Sequence, residues 1–247
     1  MRLSVATVKT LFWISIVLFI STMLISIWQV TNNNNQIIEW VKTILIGVFC
    51  SSIVVMICEY IRYLHLKRDF KDAYFYNLSL IYLKMNFIVA DIQRATLNPQ
   101  LAIDTSFLSP QMSEMRTCIQ TLSQLEYCQL QKNEFSKSVK DFLRNKIPQL
   151  NSFAINFNML NISIREDLQE IYENKLSLMK NHCDTSGISE VVTSESPRTK
   201  QTLIIINEAI KNTFLNMIDN ELSMMERIDD KKYKWSTMKE KIKGNTL

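Results

Sequence analysis

Glycine and proline are scarce in this chain. Of 247 residues only 3 are Gly and 4 are Pro, where average usage gives roughly 17 and 12. Glycine supplies the positive φ of tight turns and the close backbone approach that phosphate loops need. Gly47 and Gly187 stand alone and Gly244 lies near the C-terminus. Neither a G-x-G-x-x-G fingerprint nor a G-x-x-x-x-G-K-[ST] loop can therefore be written. Glycine hairpin turns are equally rare, which argues against a β-sandwich or barrel. Histidine is scarcer still, with 2 residues, and the 5 cysteines form no C-x-x-C. His182 adjoins Cys183 without a second ligand at helical or loop spacing. Glu166, Asp167, Glu170 and Glu173 read as a solvated helix face, and no H-E-x-x-H, G-x-S-x-G, kinase or EF-hand pattern is present. The expectation is a protein that is no enzyme and needs neither cofactor nor metal.

What the chain does have is a long uncharged run. No charged side chain occurs from Thr10 to Ile38. Leu11–Val30 is mostly apolar and about 30 Å long as a helix, the thickness of a hydrocarbon core. A cleaved signal peptide is the competing reading, but the run is long for one and no A-x-A-like site follows. After the polar break Thr31–Gln36 comes a second span, Trp40–Ile61, about 33 Å long with Lys42 and Glu59 placing their heads at opposite interfaces. Two spans joined by so short a loop predict an antiparallel hairpin. Arg2 and Lys9 precede it and Arg62, Lys67, Arg68 and Lys71 follow it. The positive-inside rule then puts both termini in the cytoplasm of an inner-membrane protein.

Ser15, Thr22, Ser26 and Gln29 fall within a ~60° arc of the first span. Thr43, Gly47, Ser51 and Cys58 share a face of the second. Small residues at such spacing predict helix packing, or a mildly polar stripe lining a wet path in an oligomer. Glu59 can pair with Arg62 or Tyr63, or act with Arg62 as a gating charge.

The remainder reads as a cytoplasmic helical bundle, with boundaries at 1–64 for the hairpin, 65–182 for the bundle, 183–200 for a Ser/Thr-rich linker and 201–247 for a last helix and tail. The second span carries no helix-breaking signal before Asn98-Pro99, so one helix of up to about 58 residues is expected. Within it Tyr74, Leu78, Ile81, Met85, Ile88, Ile92 and Ala95 keep a strict 4-3 spacing, which predicts a coiled-coil or bundle contact and makes Tyr74 to Ile92 a candidate seam between copies of the chain. Ser109-Pro110 reads as an N-cap with Pro at N1, Pro148 as a break, and Ser163 with Glu166 as a capping box opening a helix. Ser196-Pro197 is expected to start another, burying Leu203, Ile206, Ile210, Met217, Met224 and Ile228.

Residues 229–247 hold six lysines against three acids. Lys231, Lys232, Lys234, Lys239 and Lys241 with Trp235 suggest a contact for anionic lipid or nucleic acid, or packing onto the acidic helix before them. In layout, through the hairpin Leu11–Val30 plus Trp40–Ile61 and the helical C-terminal region, the chain resembles the two-transmembrane effectors of bacterial antiphage defence. Those include effectors paired with retrons and ones driven by nucleotide signals. The resemblance implies a homo-oligomer that permeabilises the inner membrane, and a protein or nucleoprotein partner that silences it; the basic aromatic tail would touch that partner's nucleic acid. A non-catalytic anchor for a cytosolic complex is the alternative. A signalling relay ranks last, since the short loop offers little for external sensing.

Overall fold

The computed structural model describes residues 5–31, 36–102, 104, 106–125, 130, 133–181, 203 and 205–246. Nearly all of them are helical, and no strand occurs among the described residues. Helix α1 is Val5–Thr31 and α2 is Gln36–Leu97. A 3₁₀ turn at Pro99–Ala102 leads to α3 (Ser109–Gln124), α4 (Glu134–Asp141), α5 (Ile147–Ile155) and α6 (Phe157–Asn181). The last two helices are α7 (Asn216–Ile228) and α8 (Trp235–Thr246). Two π-helical segments, Phe142–Lys146 and Ile210–Leu215, run directly into α5 and α7. The chain divides into two units, Met1–Asp72 with Glu126–Asn133 and Ala73–Leu125 with Glu134–Leu247.

In the first unit α1 and the beginning of α2 form the hairpin. The Ser15 and Ser52 hydroxyls lie 3.1 Å apart and the Phe19 and Phe49 rings 5.6 Å apart. Residue numbers rise on one helix as they fall on the other, so the pair is antiparallel. Both helices contain windows of mean hydropathy 2.3, long and apolar enough to cross a membrane. Several hydroxyls of these helices turn back on their own backbone: Ser21 donates to the Val17 carbonyl, Ser26 to Thr22 and Ser51 to Gly47, a habit that satisfies them within the helix.

The expected uninterrupted helix is present, ending at Leu97, one residue before Asn98-Pro99. A proline disfavours the α conformation of the residue before it.

In the second unit the 4-3 seam is the core. Tyr74, Leu78, Ile81, Met85, Ile92 and Ala95 have 0% exposure and Ile88 1%. The reading of these residues as a seam between copies is corrected: their own chain covers them. Tyr74 meets Phe135 and Phe142 edge-on at 6.4 and 6.1 Å, and Tyr82 meets Trp235 at 4.9 Å. A 4-3 pattern states that one face must be buried, and α4, α7 and α8 supply the cover that the periodicity leaves unnamed.

Three helix starts also differ from expectation. The cap of α3 is Leu108, in the left-handed region at φ 63°, with Ser109 already helical. The turn is set earlier, where the Asp104 carboxylate accepts the Ser106 N–H at 2.8 Å and the Ser106 carbonyl accepts that of Ser109 at 3.0 Å. Leu108 tolerates a conformation costing about 1–2 kcal/mol while its side chain is buried. Ser163 and Glu166 lie inside α6, which begins at Phe157 after the single break at Asn156. Pro148 does not break the chain either: it occupies the first turn of α5, where its missing N–H is no loss. The Ile147 N–H reaches back five residues to the Phe142 carbonyl, a widened turn directly preceding the ring.

The π segments explain the remaining misplacement. In each, one extra residue is threaded into the turn, so the buried face steps by five, from Phe142 to Ile147 and from Ile210 to Leu215. Ile218, Leu222 and Met225 are consequently buried, Met217 and Met224 only partly so, and Ile228 is exposed. Leu203 and Ile210, which precede the step, are buried as expected, and Ile206 is only partly buried. The linker 183–200, Ser196-Pro197, His182, Cys128 and Cys183 lie outside the described residues.

Candidate functional site

The hairpin residues separate into two sets. Ser15 is buried at 6% exposure, bonded to the Leu11 carbonyl at 3.0 Å and facing Ser52. It fastens α1 to α2. Thr22 and Ser26 are half-buried and bond back to Leu18 and Thr22; the side chain of Gln29 lies outside the described residues. Gly47 and Ser51 do not pack against α1. Both are exposed, and a Cβ built on Gly47 would meet nothing within 4 Å. The small-residue contact expected of Ser51 falls to Ser52, one residue on and about 100° around the helix. Thr43, Gly47, Ser51 and Cys58 accordingly form an uncovered face of α2.

Glu59 sits at the other end of this stretch. Its Oε1 lies 4.0 Å from the exposed Arg62 guanidinium, at the edge of ion-pair range. Its Oε2 and the hydroxyl of Tyr63, one turn on, are buried with no hydrogen-bond partner among the described residues. An orphaned carboxylate oxygen carries a desolvation cost of about 1–3 kcal/mol or more. The structure thus keeps Glu59 and Arg62 adjacent, as expected, in a weakly held pair.

The polar centre of the second unit is Glu221, to which the sequence reading assigned no role. It projects from α7 between α2 and α4. Tyr74 donates its hydroxyl to Oε2 at 3.3 Å and Ser138 donates to Oε1. Burial raises the carboxyl above its ordinary pKa, the two hydroxyl bonds pull it down, and the Asp141 charge raises it further. Tyr74 is itself held well above its ordinary value, first by burial and then by Glu221. Beside this node the two π segments face each other across a cleft of about 400 Å³, with Asp141, Phe142 and Lys146 on one side. Asn212, Asn216 and Asn220, on three successive turns, line the other together with Glu221. That four-residue spacing of asparagines beside an apolar face was a readable signal. It is a hydrogen-bonding wall with charges of both signs.

The tail is corrected in part. Trp235 is 1% exposed: its indole N–H donates to Asp219 at 2.8 Å and its ring packs on Tyr82. Lys239 bonds the other oxygen of Asp219 at 2.6 Å, and Tyr233 stacks against Phe75 at 4.9 Å. Both aromatics are thus packed within their own chain. Glu226 accepts both the N–H of Ser236 at 3.0 Å and its hydroxyl at 2.7 Å, anchoring the first turn of α8. Packing onto the acidic helix, the plainest reading of the tail, is what occurs. Lys231, Lys232, Lys234 and Lys241 remain exposed.

Among the described residues no three His, Cys, Asp or Glu side chains come together as a metal site. Set beside the families of known proteins, curated proteins and solved structures, the chain matches none of them.

Proposed function

We propose that this chain is a two-span inner-membrane effector whose hairpins associate within the bilayer and permeabilise it, under the control of its cytoplasmic helical bundle. One observation carries the membrane part. Twenty large apolar side chains between Phe12 and Ile61 stand exposed on the hairpin. At about 1.5–3 kcal/mol for each large side chain taken out of water, a hydrocarbon environment is their natural complement. Trp28 and Trp40 near the loop end, and Lys9 and Tyr60 at the other, fit interfacial belts. The surplus of Lys and Arg outside the loop supports cytoplasmic termini.

Association moves from the seam to the membrane in this reading. The seam of α2 is buried within its own chain, while the face bearing Gly47 and Ser51 is uncovered. Small residues let helices approach closely in lipid. Producing the chain alone and following membrane potential tests the proposal. Depolarisation is expected, and Gly47→Leu with Ser51→Leu should abolish it while the chain still resists alkaline extraction. Unchanged potential and growth on production and on partner removal would defeat the effector reading.

The second reading, a non-catalytic anchor holding a cytosolic complex, is favoured by the second unit. Its exposed Lys231, Lys232, Lys234 and Lys241 and the asparagine-lined cleft offer contacts without any reacting group. An anchor leaves the potential intact and co-purifies with a partner through its soluble part.

A further inference from the structure

The hairpin also contains a cleft that the mechanism above does not use. It lies between α1 and α2 at the end away from the loop, has a volume of about 340 Å³, and is lined by Lys9, Phe12, Met56, Ile57 and Tyr60. Its wall presents no polar surface. We propose that this cleft seats one anionic phospholipid, with an acyl chain against Phe12, Met56, Ile57 and Tyr60 and the phosphate at the Lys9 ammonium. The proposal rests on the membrane reading given above.

Three observations select this occupant. The first is depth. Ser15 faces Ser52 and Phe19 faces Phe49, and continuing that antiparallel register places Lys9 level with the Tyr60 turn. Both ends of the cleft therefore sit where spans meet headgroups, with an exposed tyrosine of the kind that populates this layer. The second is chemistry. An apolar cleft holds water poorly, and the exposed Lys9 at its lining has a stem long enough to follow an acyl chain while its ammonium reaches a phosphate. The third is length. The lining residues cover about one turn of each helix, Lys9 to Phe12 and Met56 to Tyr60. A helix from a second copy would need an apolar strip several turns long. A polar soluble ligand would find only the Lys9 ammonium to orient it and no partner for the rest of its surface.

The test uses the full chain, purified in detergent and incubated with phosphatidylglycerol or phosphatidylcholine of identical acyl chains. Native mass spectrometry then reads the lipid retained. One phosphatidylglycerol is expected, retained about fivefold over phosphatidylcholine, the ratio given by the ~1 kcal/mol of one lysine near an anionic lipid. Lys9→Gln should bring the two lipids to parity. Ile57→Trp, which fills the cleft while leaving Lys9 in place, should abolish retention, and Lys67→Gln should change nothing. Equal retention of both lipids by the parent chain, or a parent-like preference in Lys9→Gln or Ile57→Trp, overturns the proposal. A chain that resists alkaline extraction yet shows that equality refutes the cleft alone. A chain washed from membranes by alkali refutes the cleft and the membrane reading together.

Discussion

At the scale of single residues, Glu221 ties a buried proton to stability. Burial raises its pKa above the ordinary 4.5, against the lowering by the Ser138 and Tyr74 hydroxyls. The folded chain thus holds this proton more tightly than the unfolded chain does. The resulting stabilisation is full below the ordinary glutamate value and is lost as pH rises through the raised one. Denaturation of the purified chain should therefore show stability falling as pH climbs above 4.5, with Glu221→Gln flattening that slope; parallel slopes would contradict this role. Trp235 gives a second expectation. Replacing a buried aromatic by alanine costs about 3–5 kcal/mol, and Trp235→Ala should lose that much. Trp235→Phe, which removes the indole N–H bond to Asp219, should lose about 1.5–3 kcal/mol. Lys231→Gln and Lys234→Gln, both at exposed positions, should stay within about 0.5 kcal/mol. Chemical denaturation compares all four.

At the scale of elements, the π segments make an unusual prediction about deletions. Each contains one residue more than an α-helix needs, and the buried face has already stepped to accommodate it. Deleting exposed Lys211 from Ile210–Leu215 should shorten the five-residue step to four and leave Leu215, Ile218 and Leu222 facing the core. The helix should survive with a Tm within a few degrees. Deleting exposed Asn220 from regular α7 instead rotates Leu222 and Met225 by about 100° and should unfold the second unit, as circular dichroism on heating would report. The same segments mark where the sequence stopped being legible. Apolar runs identified the two long helices, Asn98-Pro99 the end of α2, and periodicity the buried row from Tyr74 to Ala95. It went out of phase at Ile210, because a constant 3.6-residue period is blind to one inserted residue. It also misread the cap at Ser109, since Leu108 adopts a conformation that hydrophobic patterning does not encode. Glu221 had no local signature: its partners Tyr74 and Ser138 are 147 and 83 positions away.

At the scale of the whole molecule, the burial of the seam separates folding from association. A charge placed in the seam should act on stability. Ile81→Asp, at a position with 0% exposure, should lower the Tm sharply without producing a smaller assembly of folded chains. If hairpins associate through the Gly47 face as proposed, Gly47→Leu should do the reverse, altering the number of copies per detergent particle while the Tm holds. Light scattering beside thermal unfolding distinguishes the two, and a seam variant that merely dissociates would restore the role first read from its spacing. Sequence alone could not choose between these outcomes, because Tyr74 to Ala95 states the need for a cover and not its origin.

The position of that cover has a consequence during synthesis. Tyr82 rests on Trp235 and Phe75 on Tyr233, so the apolar face of α2 waits for the far end of the chain. At roughly 5–20 residues per second on the ribosome, the interval between Tyr82 and Trp235 is on the order of 8–30 s. For that time a nascent chain displays a row of leucine, isoleucine and methionine that lacks the part of its cover supplied by α7 and α8. Anything that binds such a row, a chaperone or a neighbouring nascent chain, has its opportunity before α8 arrives and none afterwards.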